Sequence, residues 1–215
     1  MSASAREARD LRDIASALIS KRPAPSACAP DPGLEVLPIL ACGESEEAVL
    51  LAVALASFPV PFRTTVASGL PGAGPFRLPA GTPLAKVADG SARLLLLLPP
   101  EDGPVLRAAM FAAHRQVLWA APGALAEARL RGVLSAIGFA RADCEVGCLL
   151  APGADVDAVG ACLRNWSGAA PGRSAPVLGP WRPGGPLPVD AGEFLLRHEG
   201  SPVDATWAWS LLPRL

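Results

Sequence analysis

Short, continuously apolar runs alternate along this chain with longer stretches whose apolar residues recur at helical spacing. Leu94–Leu98 is the clearest of these runs, and unbroken apolar character is typical of a strand that is buried on both faces. Strands are predicted over Leu34–Cys42, Val60–Ala67, Ala92–Leu98, Gln116–Ala121 and Glu145–Leu150. Helices are predicted over Ser45–Ser57, from Pro104 to about His114, and over Ala124–Ile137 and Asp155–Trp166. This alternation predicts an α/β fold, a three-layer Rossmann-like sandwich with a mostly parallel sheet of four or five strands.

Local residues refine several of these elements. Pro38 cannot donate a ladder hydrogen bond, so its strand is predicted at an edge or with a bulge. Ser45 is the expected N-cap of the first helix of the body, and Gly138 is the expected C-cap of the helix that follows Pro122-Gly123. The pair Asp155 and Asp157 is interpreted as a helix cap rather than as a metal pair.

Both ends of the chain differ from this alternating body. Residues 1–22 are predicted as an amphipathic helix, because Leu11, Ile14 and Leu18 fall on one face. Residues 23–33 form a proline-rich linker, and residues 34–166 form the α/β body. Residues 167–215 read as a Pro/Gly-rich tail, with a predicted β-hairpin of Glu193–Glu199 and Ala205–Leu212.

Composition narrows the classes of function. The 215 residues are 51% hydrophobic and carry a net charge of −1, with no long basic block, so nucleic acid is not an expected partner. The apolar runs are far shorter than the roughly 20 residues of a membrane span, and the charged first 22 residues do not resemble a signal peptide. We therefore expect a cytoplasmic protein, with a bacterial-type composition rich in Arg and Ala. The five cysteines are expected as reduced thiols in or near the core.

The predicted sheet separates charge between its two edges. Carboxylates follow the predicted strands at the edge where α/β proteins bind ligands, and no Lys or Arg accompanies them. This acidic rim consists of Glu44, Glu46, Glu47, Glu101, Asp102, Asp155 and Asp157. Arg93, Arg115, Arg141 and Arg164 are predicted at the opposite, basic edge. Complementation of helix dipoles accounts for much of this pattern, and the carboxylates after Gly43 would repel a phosphate group.

The order of these segments resembles the MinD/ParA-type P-loop ATPases over about residues 34–166. The similarity lies in LPILACGESEEAVLLAVALA, in LLLLLPPE, in VLWAAPG and in CEVGCLLAPG. In that family the corresponding strands often end in Asp-x-Pro-Pro and Thr-x-Pro-Glu. This chain lacks the G-x-x-x-x-G-K-[ST] loop, has no lysine near Gly43, and has Leu98 where the family has an aspartate. The resemblance therefore implies a degenerate member that does not hydrolyse ATP.

No other catalytic signature is present, since both G-x-S-x-G and a G-x-G-x-x-G that opens a helix are missing. The favoured interpretation is a non-catalytic, pseudo-ATPase-like binding or assembly protein, a scaffold that uses no cofactor. Its partner would be another protein or a second copy of itself in an oligomer. Candidate contacts are Leu11, Ile14, Leu18, Trp181, Trp207 and Trp209, although the tryptophans would equally serve to seal the core. The alternative is a small metal-assisted transferase or hydrolase with its site at the acidic rim.

Overall fold

Strands and helices alternate along the body of the protein in the order that the apolar pattern predicts. The computed structural model describes residues 33–42, 45–68, 76–77, 90–98, 106, 109–110 and 113–199. The strands are β1 (Glu35–Cys42), β2 (Thr64–Ser68), β3 (Arg93–Leu98), β4 (Arg115–Ala120), β5 (Glu145–Leu150) and β6 (Val177–Pro180). The helices with full bounds are α1 (Ser45–Ser57), α2 (Ala124–Ala140), α3 (Val156–Gly168) and α4 (Val189–Leu196). Leu106, Ala109 and Met110 are also helical.

The described strands form one parallel sheet in the order β2-β3-β1-β4-β5-β6. The fold is therefore a three-layer α/β sandwich, as predicted, with six strands instead of four or five. After β1 the chain moves through α1 to β2 at one edge, whereas after β4 it moves through α2 to β5 on the other side. The crevice between the carboxyl ends of β1 and β4 is the switch point at which such sheets bind ligands.

Each face of the sheet is covered by its own helices, because the apolar residues of each helix recur at i, i+3 and i+4. One core contains Leu51 and Leu55 of α1 together with Phe194 of α4, and we call this side the α1 face. The other core contains Leu130 of α2 and Leu163 of α3, and we call it the α2 face. The sheet residues between the two layers are buried, which explains the absence of polar alternation in the strands.

β1 is a central strand, so the prediction of an edge position for Pro38 is wrong. Glu35 donates its backbone N–H to Ala92, on the β3 side. Alternation along the strand then turns the nitrogen of Pro38 toward β4, where pairing begins only at Ile39 opposite Val117. The missing donor of Pro38 therefore falls at the position where the β1–β4 ladder begins.

Two further predictions are corrected in the second half of the chain. Residues 193–196 are helical in α4 and do not form the first strand of a hairpin. Gly138 does not end α2, because the helix continues to Ala140 with Arg141 as its C-cap. In addition, β6 and α4 extend the sheet and the core beyond residue 166.

None of the helices in the described ranges has the length and apolar character that a bilayer crossing demands. The predicted N-terminal helix, the linker up to residue 32, and the segment Ala205–Leu212 lie outside the described residues.

Candidate functional site

The described members of the predicted acidic rim lie near the carboxyl ends of the strands, and two of them, Glu47 and Asp155, make local contacts. Glu47, in the first turn of α1, accepts a hydrogen bond of 3.1 Å from the indole Nε1 of Trp119 in β4. This bond links the two elements that flank the switch point. Asp155 caps α3, since its Oδ1 accepts the backbone N–H of Ala158 at 2.9 Å. The interpretation of Asp155 as a helix cap is thus confirmed.

Of the remaining carboxylates of the rim, two belong to the part of the chain that the structure describes. Glu46 and Asp157 are exposed, whereas Glu44, Glu101 and Asp102 lie outside the described residues. Among the residues that the structure describes, no group of three or more His, Cys, Asp or Glu side chains is placed to hold a metal ion.

The opposite edge of the sheet, at the amino ends of the strands, contains a buried network of ion pairs. The sequence predicted arginines at this edge but not their partners. Glu35 is the first residue of β1, and its two carboxylate oxygens accept one hydrogen bond each. Arg93 Nε donates to Oε2 at 2.7 Å, and Arg115 Nη1 donates to Oε1 at 2.9 Å. The arginine side chains are 1% exposed and the glutamate side chain is 4% exposed. The two arginines therefore share the carboxylate of Glu35, and Arg115 Nε also lies 3.5 Å from Oε2 of Glu145 at the start of β5.

The same arginines bind the carboxyl end of α4. Arg93 donates to the carbonyls of Leu195 and Arg197, and Arg115 donates to those of Phe194 and Arg197. Because the last carbonyls of a helix have no partner within the helix, these bonds cap α4. The Arg115 guanidinium also lies 4.2 Å from the centroid of the Phe194 ring. The network thus fastens α4 to the amino ends of three strands.

Arg93 and Arg115 begin β3 and β4, at the predicted basic edge, but both are buried. Arg141 is 9% exposed and pairs with Asp143 at 3.1 Å, so that of the four predicted arginines only Arg164 is exposed. Burial lowers the pKa of Arg115 from its ordinary value; nearby arginines add to this effect, and Glu35 opposes it. The buried arginines at this edge therefore make contacts inside the protein and do not form a charged surface.

A groove in the described body lies between α2 and α3, on the side away from the sheet. This groove has a volume of about 590 Å³. It is lined by Arg131, Leu134, Ser135, Gly138, Phe139, Cys162, Asn165, Trp166 and Arg173. Phe139 is 86% exposed, the highest value among the large hydrophobic side chains that the structure describes. The groove therefore combines apolar surface with two arginines, and it has no carboxylate in its lining.

Gly138 shapes one end of this groove. A Cβ atom at this position would lie 2.8 Å from Arg173 Nη2, so a larger residue would displace the guanidinium group from its present position. Arg173 Nη2 donates to the carbonyl of Gly138 at 2.7 Å, and the guanidinium lies 5.1 Å from the Trp166 ring centroid. Gly138, which was predicted to end the helix, instead accepts a hydrogen bond from Arg173 in the last turn of α2.

Arg131 lines the other part of the groove and remains largely in solvent. Its side chain is 66% exposed, and it contacts Glu127 one turn earlier at 3.6 Å. Its Nε donates to the Sγ of Cys162 at 3.5 Å. Cys162 is thus a half-buried thiol placed beside a cation.

Of the six predicted partner contacts, only Trp181 belongs to the residues that the structure describes. Trp181 is 1% exposed and packs edge-on against Trp119 with ring centroids 5.2 Å apart, so the interpretation in which the rings seal the core holds for Trp181. Leu11, Ile14, Leu18, Trp207 and Trp209 lie outside the described residues. Phe139 was not among the predicted contacts, because its place in the groove depends on the packing of α2 against α3.

The cysteines are expected to differ sharply in reactivity. Burial raises the pKa of Cys144 to about 11 and that of Cys148 to about 12, so neither forms a thiolate at neutral pH. Cys42 is also buried, whereas Cys162 is half-buried at the groove.

Iodoacetamide applied to the native protein near pH 8 should alkylate Cys162 and spare Cys42, Cys144 and Cys148. Peptide mass spectrometry with and without urea measures this, and rapid native labelling of Cys148 would contradict the packing of β5.

The chain matches no known protein-family model and no curated protein.

Proposed function

We propose that this chain is a non-catalytic, pseudo-ATPase-like binding protein that acts through protein–protein contacts, with the α2–α3 groove as its contact surface. One observation carries the proposal: Phe139 stands 86% exposed at the groove, between an apolar floor and two arginines. Exposure of a large aromatic ring costs free energy in water, and aromatic and arginine side chains dominate the binding energy of interfaces.

The acidic rim supports the non-catalytic part of the proposal. Two of its described members make structural contacts: Asp155 caps α3, and Glu47 accepts a hydrogen bond from the indole N–H of Trp119. The sequence also lacks the lysine with which a P-loop binds phosphate. If the purified chain hydrolyses ATP or GTP, or if millimolar Mg²⁺ with nucleotide raises its melting temperature, this part of the proposal fails.

The binding surface is tested by a pair of substitutions on one helix. Phe139→Ala should reduce recovery of a stoichiometric partner by the tagged full-length chain by about tenfold or more, as expected for an interface hot spot. Leu125→Ala is the matched control, since Leu125 is 67% exposed at the other end of α2. Quantitative mass spectrometry of the purified complexes provides the measurement. Equal recovery with both variants would place the contact surface elsewhere.

A further inference from the structure

The groove between α2 and α3 is an incomplete site in the described body. Leu134 and Trp166 form its apolar part, and Phe139 stands beside them in solvent. The lining also contains Arg131 and Arg173 and no carboxylate. The groove therefore fits an occupant with apolar side chains and carboxylates, because complementary charges favour association.

We propose that the occupant is this chain's own N-terminal segment, residues 7–18, bound as an amphipathic helix in the α2–α3 groove. This inference rests on the groove being a binding surface, as proposed above, but it requires no external partner. An outside protein would then have to displace the segment.

Charge complementarity selects this segment. Leu11, Ile14 and Leu18 share one side of the predicted helix, and residues four apart are neighbours on a helix surface. Glu7 precedes Leu11 by four residues and Asp10 precedes Ile14 by four, so both carboxylates extend the apolar side. The segment's arginines Arg9 and Arg12 fall on the opposite side. The apolar side thus carries two carboxylates for a groove that offers Arg131 and Arg173.

The dimensions agree with this arrangement. Residues 7–18 span about 17 Å as a helix, and α2 from Arg131 to Phe139 spans about 12 Å. The 12 residues between Ser20 and Gly33 extend to about 40 Å at most. Gly33 precedes β1 at the amino ends of the strands, the same edge at which α2 finishes before β5 begins. Adjacent strands lie only about 5 Å apart, so the linker reaches the groove with slack.

The C-terminal segment is less well placed for the same groove. α4 packs on the α1 face, on the other side of the sheet. After α4, the His198 ring nitrogen Nε2 contacts the carbonyl of Ala92, beside β3 and away from β5. The N-terminal tether also holds residues 7–18 at an effective concentration on the order of millimolar, enough to populate a weak contact.

Cys162 allows a direct test in the full-length chain. In a Cys28→Ser background, a thiol is introduced by Ala15→Cys, beside the apolar side of the segment, or by Ser16→Cys, on its opposite side. A short bismaleimide should join position 15 to Cys162 within one chain several-fold more efficiently than position 16. The preference should not change over a tenfold range of protein concentration. Peptide mass spectrometry identifies the linked site, and denaturing gels separate monomer from dimer.

Equal cross-linking of the two positions, or a product that is mainly dimeric, would overturn docking within the chain. The double substitution Glu7→Lys and Asp10→Lys, introduced into both the Ala15→Cys and the Ser16→Cys chains, should abolish the preference for position 15 because it places cations against Arg131 and Arg173. If the preference persists, the charge argument fails. This readout is independent of partner recovery. A partner lost with Phe139→Ala but no position-15 product would refute only this inference, and the converse result would refute only the proposed function.

Discussion

Replacing Glu35 with glutamine is expected to lower the free energy of unfolding by about 3–5 kcal/mol, the cost of breaking a buried ion pair at one partner. Glutamine preserves the shape of the side chain but removes its charge. Arg93 and Arg115 would then remain buried together, with hydrogen bonds to carbonyl groups but without the carboxylate that they share. Only Arg115 would keep a second carboxylate, that of Glu145 at 3.5 Å. Urea unfolding followed by circular dichroism measures the loss.

The exposed pair of Glu127 and Arg131 provides the matched control. Its atoms lie 3.6 Å apart and the arginine side chain is 66% exposed, so water screens the attraction. Glu127→Gln should change the free energy of unfolding by less than about 0.5 kcal/mol. If Glu35→Gln were as mild as this control, the two arginines would not depend on Glu35, and the network would not hold the amino-end edge together.

The network also explains why α4 belongs to the body although it comes late in the chain. Arg93 and Arg115 stand at the starts of β3 and β4, and they meet the end of α4 through its last carbonyls. In the sequence the signal was Glu35, a lone acid at the start of an otherwise apolar strand. Such an acid must find a cation if it is buried. The sequence could not identify the partners, because parallel pairing with β3 and β4 brings them together across 58 and 80 residues.

Elements with a strong local pattern were the ones that the sequence predicted well. β5 has the predicted bounds Glu145–Leu150, and β1 and β3 each begin one residue later than predicted. Their unbroken apolar runs suffice because both faces of each strand are covered. α3 was equally accessible, since Asp155 gives the cap and Val159, Leu163 and Trp166 give the helical stripe.

The sequence analysis did not predict β6 or α4, because neither element has a local pattern that identifies it. β6 is four residues long and contains Gly179 and Pro180, so it has no pattern of its own. It forms because Cys148 donates to Pro176 and Trp181 donates to Leu150 across to β5. The apolar run of α4 is too short to separate a strand from a helix by period. Its buried residues, Ala191, Gly192, Phe194 and Leu195, fit a helical face only after the sheet is in place.

The groove was hidden from the sequence for the same kind of reason. Leu134, Phe139 and Trp166 look like ordinary helix residues, and Arg173 stands in a stretch of Gly and Pro. They form one surface only because α2 and α3 pack side by side on the α2 face. Trp166 is buried and Phe139 is exposed because of tertiary packing, and the close approach of Arg173 to Gly138 has the same cause. A sequence pattern does not reveal these features.

Replacing Trp181 with alanine is expected to cost about 3–5 kcal/mol of unfolding free energy, the range for large aromatic residues removed from a core. Trp181 follows β6 and is 1% exposed, and its ring stands at 75° to that of Trp119. Its Nε1 donates to the carbonyl of Gly185 at 3.1 Å, which fixes the turn before α4. The substitution would therefore open a cavity on the α1 face and also leave that carbonyl unpaired.

Trp181→Phe separates these two contributions, because it keeps an aromatic ring against Trp119 and removes only the indole donor and part of the volume. Its cost should be clearly smaller than that of Trp181→Ala when both are measured by urea unfolding. The folded fraction of either variant should still bind a partner through the groove, because Trp181 lies on the opposite side of the sheet. If Trp181→Ala left stability unchanged and abolished partner recovery, the ring would be a contact residue and its burial against Trp119 would be incorrect.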